Sequence, residues 1–387
     1  RKIKMKKIIL AIAAVALIAS PALAAEWNFY GSARIATFYN SYDFGDLDEG
    51  SGEDQQLGRE VPVRQDDDQE LFWDIQNNSR IGARVKASDT LSGRFELGVS
   101  DNINTRLLYG EWKPGNLSIL WGKDYTPIAQ FVSGQIGWGD NSIDAYDYGL
   151  LTFGTMYGTR RAQVKLSYGG LQVALIEYSD GVNLADPDAP SLSSFNDGDV
   201  DHWYPKVEAA YTRSFDTFGF GIRGGYQYYE VEDADTDGDG DAEGDLDITS
   251  WIIGGELTGN FGPLGAFATV SYSQNGGAAG WFLGTPTVEA GSSSVKDNDT
   301  LMASLGASFS FTDAVRLEAG VGYREDSPDQ NGLEDDELYA YYLNAMFVLA
   351  PGVTVIPEVG YLDYKDNILD EDEGNQFYLG AKWQVDF

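Results

Sequence analysis

The 387-residue sequence has no cysteine, a single histidine (His202), and only 26 lysines and arginines against 61 aspartates and glutamates. Each shortage excludes a class of chemistry. Without thiols there is no disulfide framework, no thiol nucleophile and no thiolate metal site. One histidine removes most metal centres. No Gly-x-Ser-x-Gly elbow or comparable motif builds a Ser-His-Asp site around His202, which reads as a loop or subunit-contact residue. Nothing singles out two carboxylates as a glycosidase pair. The composition points away from an enzyme. A net charge of −35 also argues against nucleic acid as a partner.

Long apolar runs are missing too. Arg1 to Lys7 are basic, Ile8 to Ile18 are nearly all apolar, and Ala22-Leu23-Ala24 offers a small-x-small cleavage pattern. That is the layout of a secretory signal peptide. Residues 1–24 are read as a removed signal, with Met5 as the start and Arg1 to Lys4 as an upstream extension. The apolar run is well short of the roughly 20 residues a spanning helix needs, and no later run comes closer. Residues 25–387 read as one domain, because no Pro-, Gly- or Ser-rich linker divides them.

What the chain does have is aromatic residues (13%), 46 glycines and strict alternation. Phe377, Leu379, Ala381, Trp383, Val385 and Phe387 alternate with Tyr378, Gly380, Lys382, Gln384 and Asp386. Val315, Leu317, Ala319, Val321 and Tyr323 alternate with Arg316, Glu318, Gly320, Gly322 and Arg324. Period two means strands with one apolar and one polar face. Tight turns, such as Pro114-Gly115, Gly169-Gly170 and Pro351-Gly352, alternate with long polar loops. Aromatics gather near strand ends at Trp27, Phe29 and Tyr39, Tyr226 and Tyr228, Tyr339 to Tyr342, Tyr361 and Tyr364, and Trp383 and Phe387. Both features predict an all-β fold, a transmembrane antiparallel β-barrel with short periplasmic turns and long acidic external loops. Counting strands between turns gives sixteen, among them 71–87, 104–113 and 155–168, which is wide enough for a lumen that holds water.

Charge is unevenly placed. Segments 41–70, 180–201, 232–247, 325–337 and 363–373 hold 39 of the 61 acids. These loops keep the outer face solvated, form a cation-attracting vestibule, or hold Ca²⁺ or Mg²⁺ against lipopolysaccharide phosphates. Asp233, Asp235, Asp237, Asp239 and Asp241 match the first half of an EF-hand-like calcium loop, but the twelfth position is Gly244 and a solvated hairpin tip competes with that reading. Arg34, Arg80, Arg84, Lys86 and Arg94 share the polar face of the early strands and predict a basic wall lining the pore. Residues 124–148 form a glycine-containing loop able to fold inward, carrying Asp124, Asp140, Asp144 and Asp147 opposite that wall. The competing reading pairs these arginines with strand carboxylates such as Glu96 and Glu111.

The segments Asn78-Ser79-Arg80-Ile81-Gly82 and Leu117-Ser118-Ile119-Leu120-Trp121-Gly122-Lys123-Asp124-Tyr125-Thr126-Pro127 resemble the corresponding stretch of general Gram-negative bacterial outer-membrane porins, and Phe387 resembles that family's assembly signal. The resemblance implies a homotrimer of sixteen-stranded barrels in the outer membrane, with the loop after Tyr125 as a constriction. By position Arg34, Arg80, Arg84 and Arg94 resemble the basic wall, and Asp140, Asp144 and Asp147 the acidic loop. It implies a water-filled channel for passive diffusion of small hydrophilic solutes and ions, with no required cofactor, and the acidic mouth set against the basic wall predicts weak cation selectivity. Its other partners are outer-membrane lipid, lipopolysaccharide, and the assembly machinery through the C-terminal strand. Two other readings stand beside it. One is a substrate-selective channel for sugars or anions, with Trp138, Tyr146 and Tyr148 as a sugar slide; the other is a plugged structural or adhesive barrel.

Overall fold

The computed structural model describes residues 25–43, 69–100, 103–136, 149–179, 199–236, 241–288, 291–368, 370 and 372–387. Eighteen strand segments form one antiparallel sheet that closes on itself. Two barrel strands are each split in two, so the barrel has sixteen strands. Closure is made at the N-terminus. Glu26–Asp43 pairs with Asn375–Asp386 on one side, from Ser32↔Asp386 to Asp43↔Asn375. On its other side it pairs with Arg80–Lys86 and with Gln69–Ile75. No edge is left within the sheet, as lipid requires of every backbone N–H and C=O.

Alternation sorts the side chains. Along the first strand Trp27, Phe29 and Ile35 are exposed on the outside, while Ser32, Ala36, Phe38 and Asn40 are buried inside. Connections at 87–90, 113–117, 169–170, 215–217, 262–263, 313–314 and 351–352 are short and share one rim. Trp27, Trp112, Tyr168, Phe215, Phe218, Phe261 and Phe311 ring that end. Exposed Tyr39, Tyr178, Tyr204, Tyr226, Tyr272 and Tyr341 ring the other, where tyrosine hydroxyls donate to carboxylates, as from Tyr228 to Asp247 and from Tyr272 to Asp299. An apolar band between two aromatic girdles is the outer surface of a membrane barrel. Tyr342 and Tyr364 correct the girdles expected from sequence: both are buried inside the barrel, packed with Phe38 and Tyr378.

The strand expected at 71–87 is broken at 76–79. Both halves still pair with the first strand, because Gln76 N donates to the Arg34 carbonyl (3.0 Å) and the Ser79 hydroxyl both accepts from Arg34 N (3.0 Å) and donates to its carbonyl (3.1 Å). Ser79 thus stitches the first motif of the sequence into the wall. The strand expected at 155–168 begins at Arg160, and residues 155–159 belong instead to a segment inside the barrel. The apolar clusters lie there as well. One joins Phe38, Phe72, Tyr342 and Tyr378 to Leu150 and Phe153; another joins Ile128, Met156 and Trp281 to Ile252 and Met302. Part of the lumen is therefore packed with chain.

Ile253 lies outside near the middle of Gly244–Phe261, and Thr258 lies on the inner face. Ile253→Lys should lower the free energy of folding into vesicles by about 2–4 kcal/mol, and Thr258→Lys by clearly less. Denaturant titration of refolding reads both, and equal losses would deny the assignment of faces.

Candidate functional site

The inner wall over the first four strands carries cations around one carboxylate. Glu96 is fully buried and accepts from Arg94 Nη2 (2.9 Å), Arg106 Nε (2.9 Å) and the Tyr30 hydroxyl (2.9 Å), with Arg80 Nη1 at 3.5 Å. Three guanidiniums on one carboxylate leave a net positive wall, and the Arg80 and Arg94 side chains remain 21% and 23% exposed. Arg34 is half-buried on the adjoining strand, its Nε donating to Ser32 Oγ (2.9 Å), and Arg84 is exposed. Lys382, half-buried, lies on the same face one strand further, opposite Ala36. Lys86 stands at the short-turn rim, where it pairs with Asp89 (2.9 Å) and holds that carboxyl below the usual range. Arg106 escaped the reading by alternation. Its strand shifts register where Glu96 and Leu97 face Leu107 and Thr105, and the extra residue leaves Arg106 inward against the parity of Leu107 to Trp112 that follow it.

After Tyr125 the chain turns into the barrel. Gly122, at φ 130°, sits where a side chain would strike the Leu108 carbonyl, and Asp124 is fixed by Lys165 (2.6 Å). Residues 126–136 and 149–158 then run along the wall built by the strands from Lys206–Ser214 round to Asn375–Asp386. Three buried carboxylates hold the first of these segments by its backbone. Glu208 accepts from Ile128 N (3.2 Å), Glu318 from Gly134 N, and Glu358 from Ile136 N (2.8 Å). Gln135 Nε2 donates to the Tyr378 hydroxyl (2.9 Å), which itself donates to Glu358 (3.1 Å). Arg223 donates to the Pro127 carbonyl (2.7 Å) while pairing with Glu256 (2.7 Å). The return segment seats at Gly322, where any side chain would collide with the Phe153 carbonyl.

A second segment, 275–288, also folds inward, which the sequence reading did not anticipate. Lys206 Nζ donates to the Ala279 carbonyl (2.8 Å), Trp281 Nε1 to Glu208 (3.0 Å), and Gly284 N to Asp326 (3.2 Å). The signal was present in the sequence: Lys206 and Glu208 are the charges on an inner face that continues with Ala210, Thr212 and Ser214, and Glu358 stands alone among Thr354, Ile356, Gly360 and Leu362.

Asp140, Asp144, Asp147, Trp138, Tyr146 and Tyr148 lie outside the described residues, as do Asp237 and Asp239. Of the calcium-loop residues Asp233, Asp235 and Asp241 are described. Asp233 N donates to Asp245 (3.1 Å), and no group of three or more potential ligands forms a metal site among the described residues. Phe387 pairs with Gly31 through both backbone groups (2.7 and 3.0 Å) and lays its ring where a Gly31 side chain would stand.

Removing a buried acceptor should free the segment. Glu358→Leu, which orphans Ile136 N and the Tyr378 hydroxyl proton, should cost about 1–3 kcal/mol of stability and give a larger, noisier conductance; Glu358→Gln, which keeps one acceptor oxygen, should lose less. Thermal unfolding and single-channel recording test this. An unchanged melting temperature in Glu358→Leu would mean that the segment is held elsewhere.

The comparisons agree with this geometry. The model of the Gram-negative porin family matches residues 11–367. Among curated proteins none matches the chain by sequence. Its fold is similar to that of the outer-membrane channel DcaP of Acinetobacter baumannii, with TM-score 0.67 and 16% identity over 94% of this chain and 97% of that one. Salmonella typhi OmpF gives TM-score 0.55 and 14% identity over 93% and 97%. The trimer form of Vibrio cholerae OmpT gives 0.55 and 15% over 94% and 100%. A closed sixteen-stranded barrel with a segment folded into its lumen, matched by that family model over nearly its whole length, makes this chain a member of the Gram-negative porin family and a channel of the bacterial outer membrane.

Proposed function

We propose that the protein is a homotrimeric, water-filled channel for passive diffusion of small hydrophilic solutes and ions, weakly cation-selective, with no required cofactor and no catalytic activity. One observation carries the reading. The inward segment is anchored from the strand Lys206–Ser214 round to Asn375–Asp386, while Arg80, Arg84 and Arg94, on the wall that no described segment covers, keep solvent access inside the barrel. A plugged structural barrel would cover both walls. The trimer rests on the trimer form of a neighbour of the same fold. Acidic external loops raise the local cation concentration at the mouth, and Ca²⁺ or Mg²⁺ between them and lipopolysaccharide phosphates suits their chemistry. The basic wall opposes that preference deeper in the lumen, so the net selectivity is small.

Single-channel recording in a planar bilayer under a KCl gradient tests this directly: stepwise openings in threes with a cation-biased reversal potential are expected. No steps from folded, inserted protein would sink the open-channel reading. Arg80→Ala with Arg84→Ala should raise the cation preference, since Glu96 keeps Arg94 and Arg106 and the wall stays folded. The effect should fade as the Debye length falls from about 10 Å at 0.1 M to about 3 Å at 1 M salt. An unchanged reversal potential would show that these arginines do not line the conducting path.

A further inference from the structure

At the long-loop ends of Ser118–Tyr125 and Arg160–Tyr168 a row of four rings crosses from the wall onto both inward segments. Tyr125 meets Phe131 edge to face (4.9 Å between centroids), Phe131 meets Tyr157 (6.0 Å), and Tyr157 stacks on Phe282 (6.0 Å, 25°). Tyr157 is buried, but the row as a whole is not core filling. Phe131 is 59% exposed although Ile128, Ala129 and Gln130 just before it are buried. Phe282 lies between buried Trp281 and Leu283 at φ 54°, a conformation that costs a bulky residue energy and is kept by its surroundings, here in part by Arg324 donating to its carbonyl (3.2 Å).

The charges beside the row are unusual for this barrel. Elsewhere on the inner wall the described arginines are mostly answered by acids: Arg80, Arg94 and Arg106 by Glu96, Arg223 by Glu256, Arg316 by Glu318, Arg324 by Asp326. Arg160 and Arg161 have no carboxylate within 4 Å among the described residues, and Arg160 Nη1 and Arg161 Nε are buried without a hydrogen-bond partner. The Arg160 guanidinium lies over the Tyr125 ring (5.6 Å), and the hydroxyl of that ring accepts from Arg106 (3.2 Å). Partly buried cations left without an acceptor are the complement of an anion. Rings with exposed area are the complement of a flat apolar face.

We infer that this row is a binding site for aromatic carboxylates on their way through the channel, the ring of the solute stacking on Phe131 and its carboxylate meeting Arg160 and Arg161. Neither half suffices alone: a small inorganic anion has no use for the rings, and a sugar would need acceptors for its hydroxyls where the site offers guanidiniums. The inference rests on the channel reading. The acidic mouth opposes entry of the anion, so affinity has to come from the rings and the arginines together.

Sodium benzoate, acetate, benzyl alcohol and maltotriose applied to the full-length protein in a planar bilayer discriminate. Benzoate should block the KCl current saturably, acetate should not, and benzyl alcohol should act more weakly than benzoate. Phe131→Leu keeps the apolar volume but removes the ring; it should weaken benzoate by about two- to tenfold with unchanged KCl conductance. Arg160→Gln should weaken benzoate and leave benzyl alcohol as it was. Equal effects of benzoate and acetate, stronger block by maltotriose, or full benzoate affinity in Phe131→Leu would each overturn the site. Absence of KCl steps would strike the channel reading instead, and calorimetric binding of benzoate to the folded protein then decides the site by itself: binding that Phe131→Leu weakens supports it, and no binding overturns it.

Discussion

The seam between the first and last strands is the constraint on which the rest depends. A membrane barrel cannot leave a strand edge in lipid, since each unpaired backbone group would cost several kcal/mol. Glu26–Asp43 meets this need by serving three segments at once, the last strand on one side and the two halves of the second on the other. Its length allows this, and so does the Ser79 hydroxyl, which carries the pairing across the break at Arg34. Once the seam is closed, inside and outside are set for every later strand, because each residue's face follows from its parity with these.

The interior then faces the inverse problem. A segment drawn into the lumen brings backbone amides away from bulk water, and they need acceptors there. Glu208, Glu318 and Glu358 supply them, each on a different strand and each nearly or fully buried. Because these acids are committed to backbone amides, to Trp281 and tyrosine side chains and, for Glu318, to Arg316 on its own strand, they do not neutralise the arginines of the opposite wall. Hydrogen bonding thus divides the interior: on the packed side Glu208, Glu318 and Glu358 are taken up by the inward segments, while on the opposite wall Arg80 and Arg94 keep exposed area around Glu96.

Much of this was legible in the sequence. Sixteen strands and their short turns follow from alternation and turn chemistry, and strands such as Val315–Pro328 begin where their pattern begins. The misreadings share one cause: parity holds only while the register holds. The irregularity opposite Glu96 reversed Arg106, and the break at 76–79 is hidden inside a run that still alternates. Tyr342 and Tyr364 look like girdle residues because an aromatic at a strand end suits lipid and a packed lumen equally. The second inward segment, 275–288, is rich in glycine, alanine and threonine and has no charge pattern; only its partners on distant strands reveal where it lies. Arg160 and Arg161 carry no such signal, because one strand cannot show that a cation lacks an acid contributed by another.

The anchoring of the inward segment also orders events during biogenesis. Gly134 finds its acceptor 184 residues later in the chain and Ile136 finds its own 222 residues later. Contacts of such separation come at the end of folding, after the entropy of closing long loops has been met by the pairing of intervening strands. The eyelet of this channel therefore cannot exist in a nascent or half-inserted chain. The protein passes through a stage in which the wall is largely complete and the bore still wide, and the inward segment is seated only with its last strands.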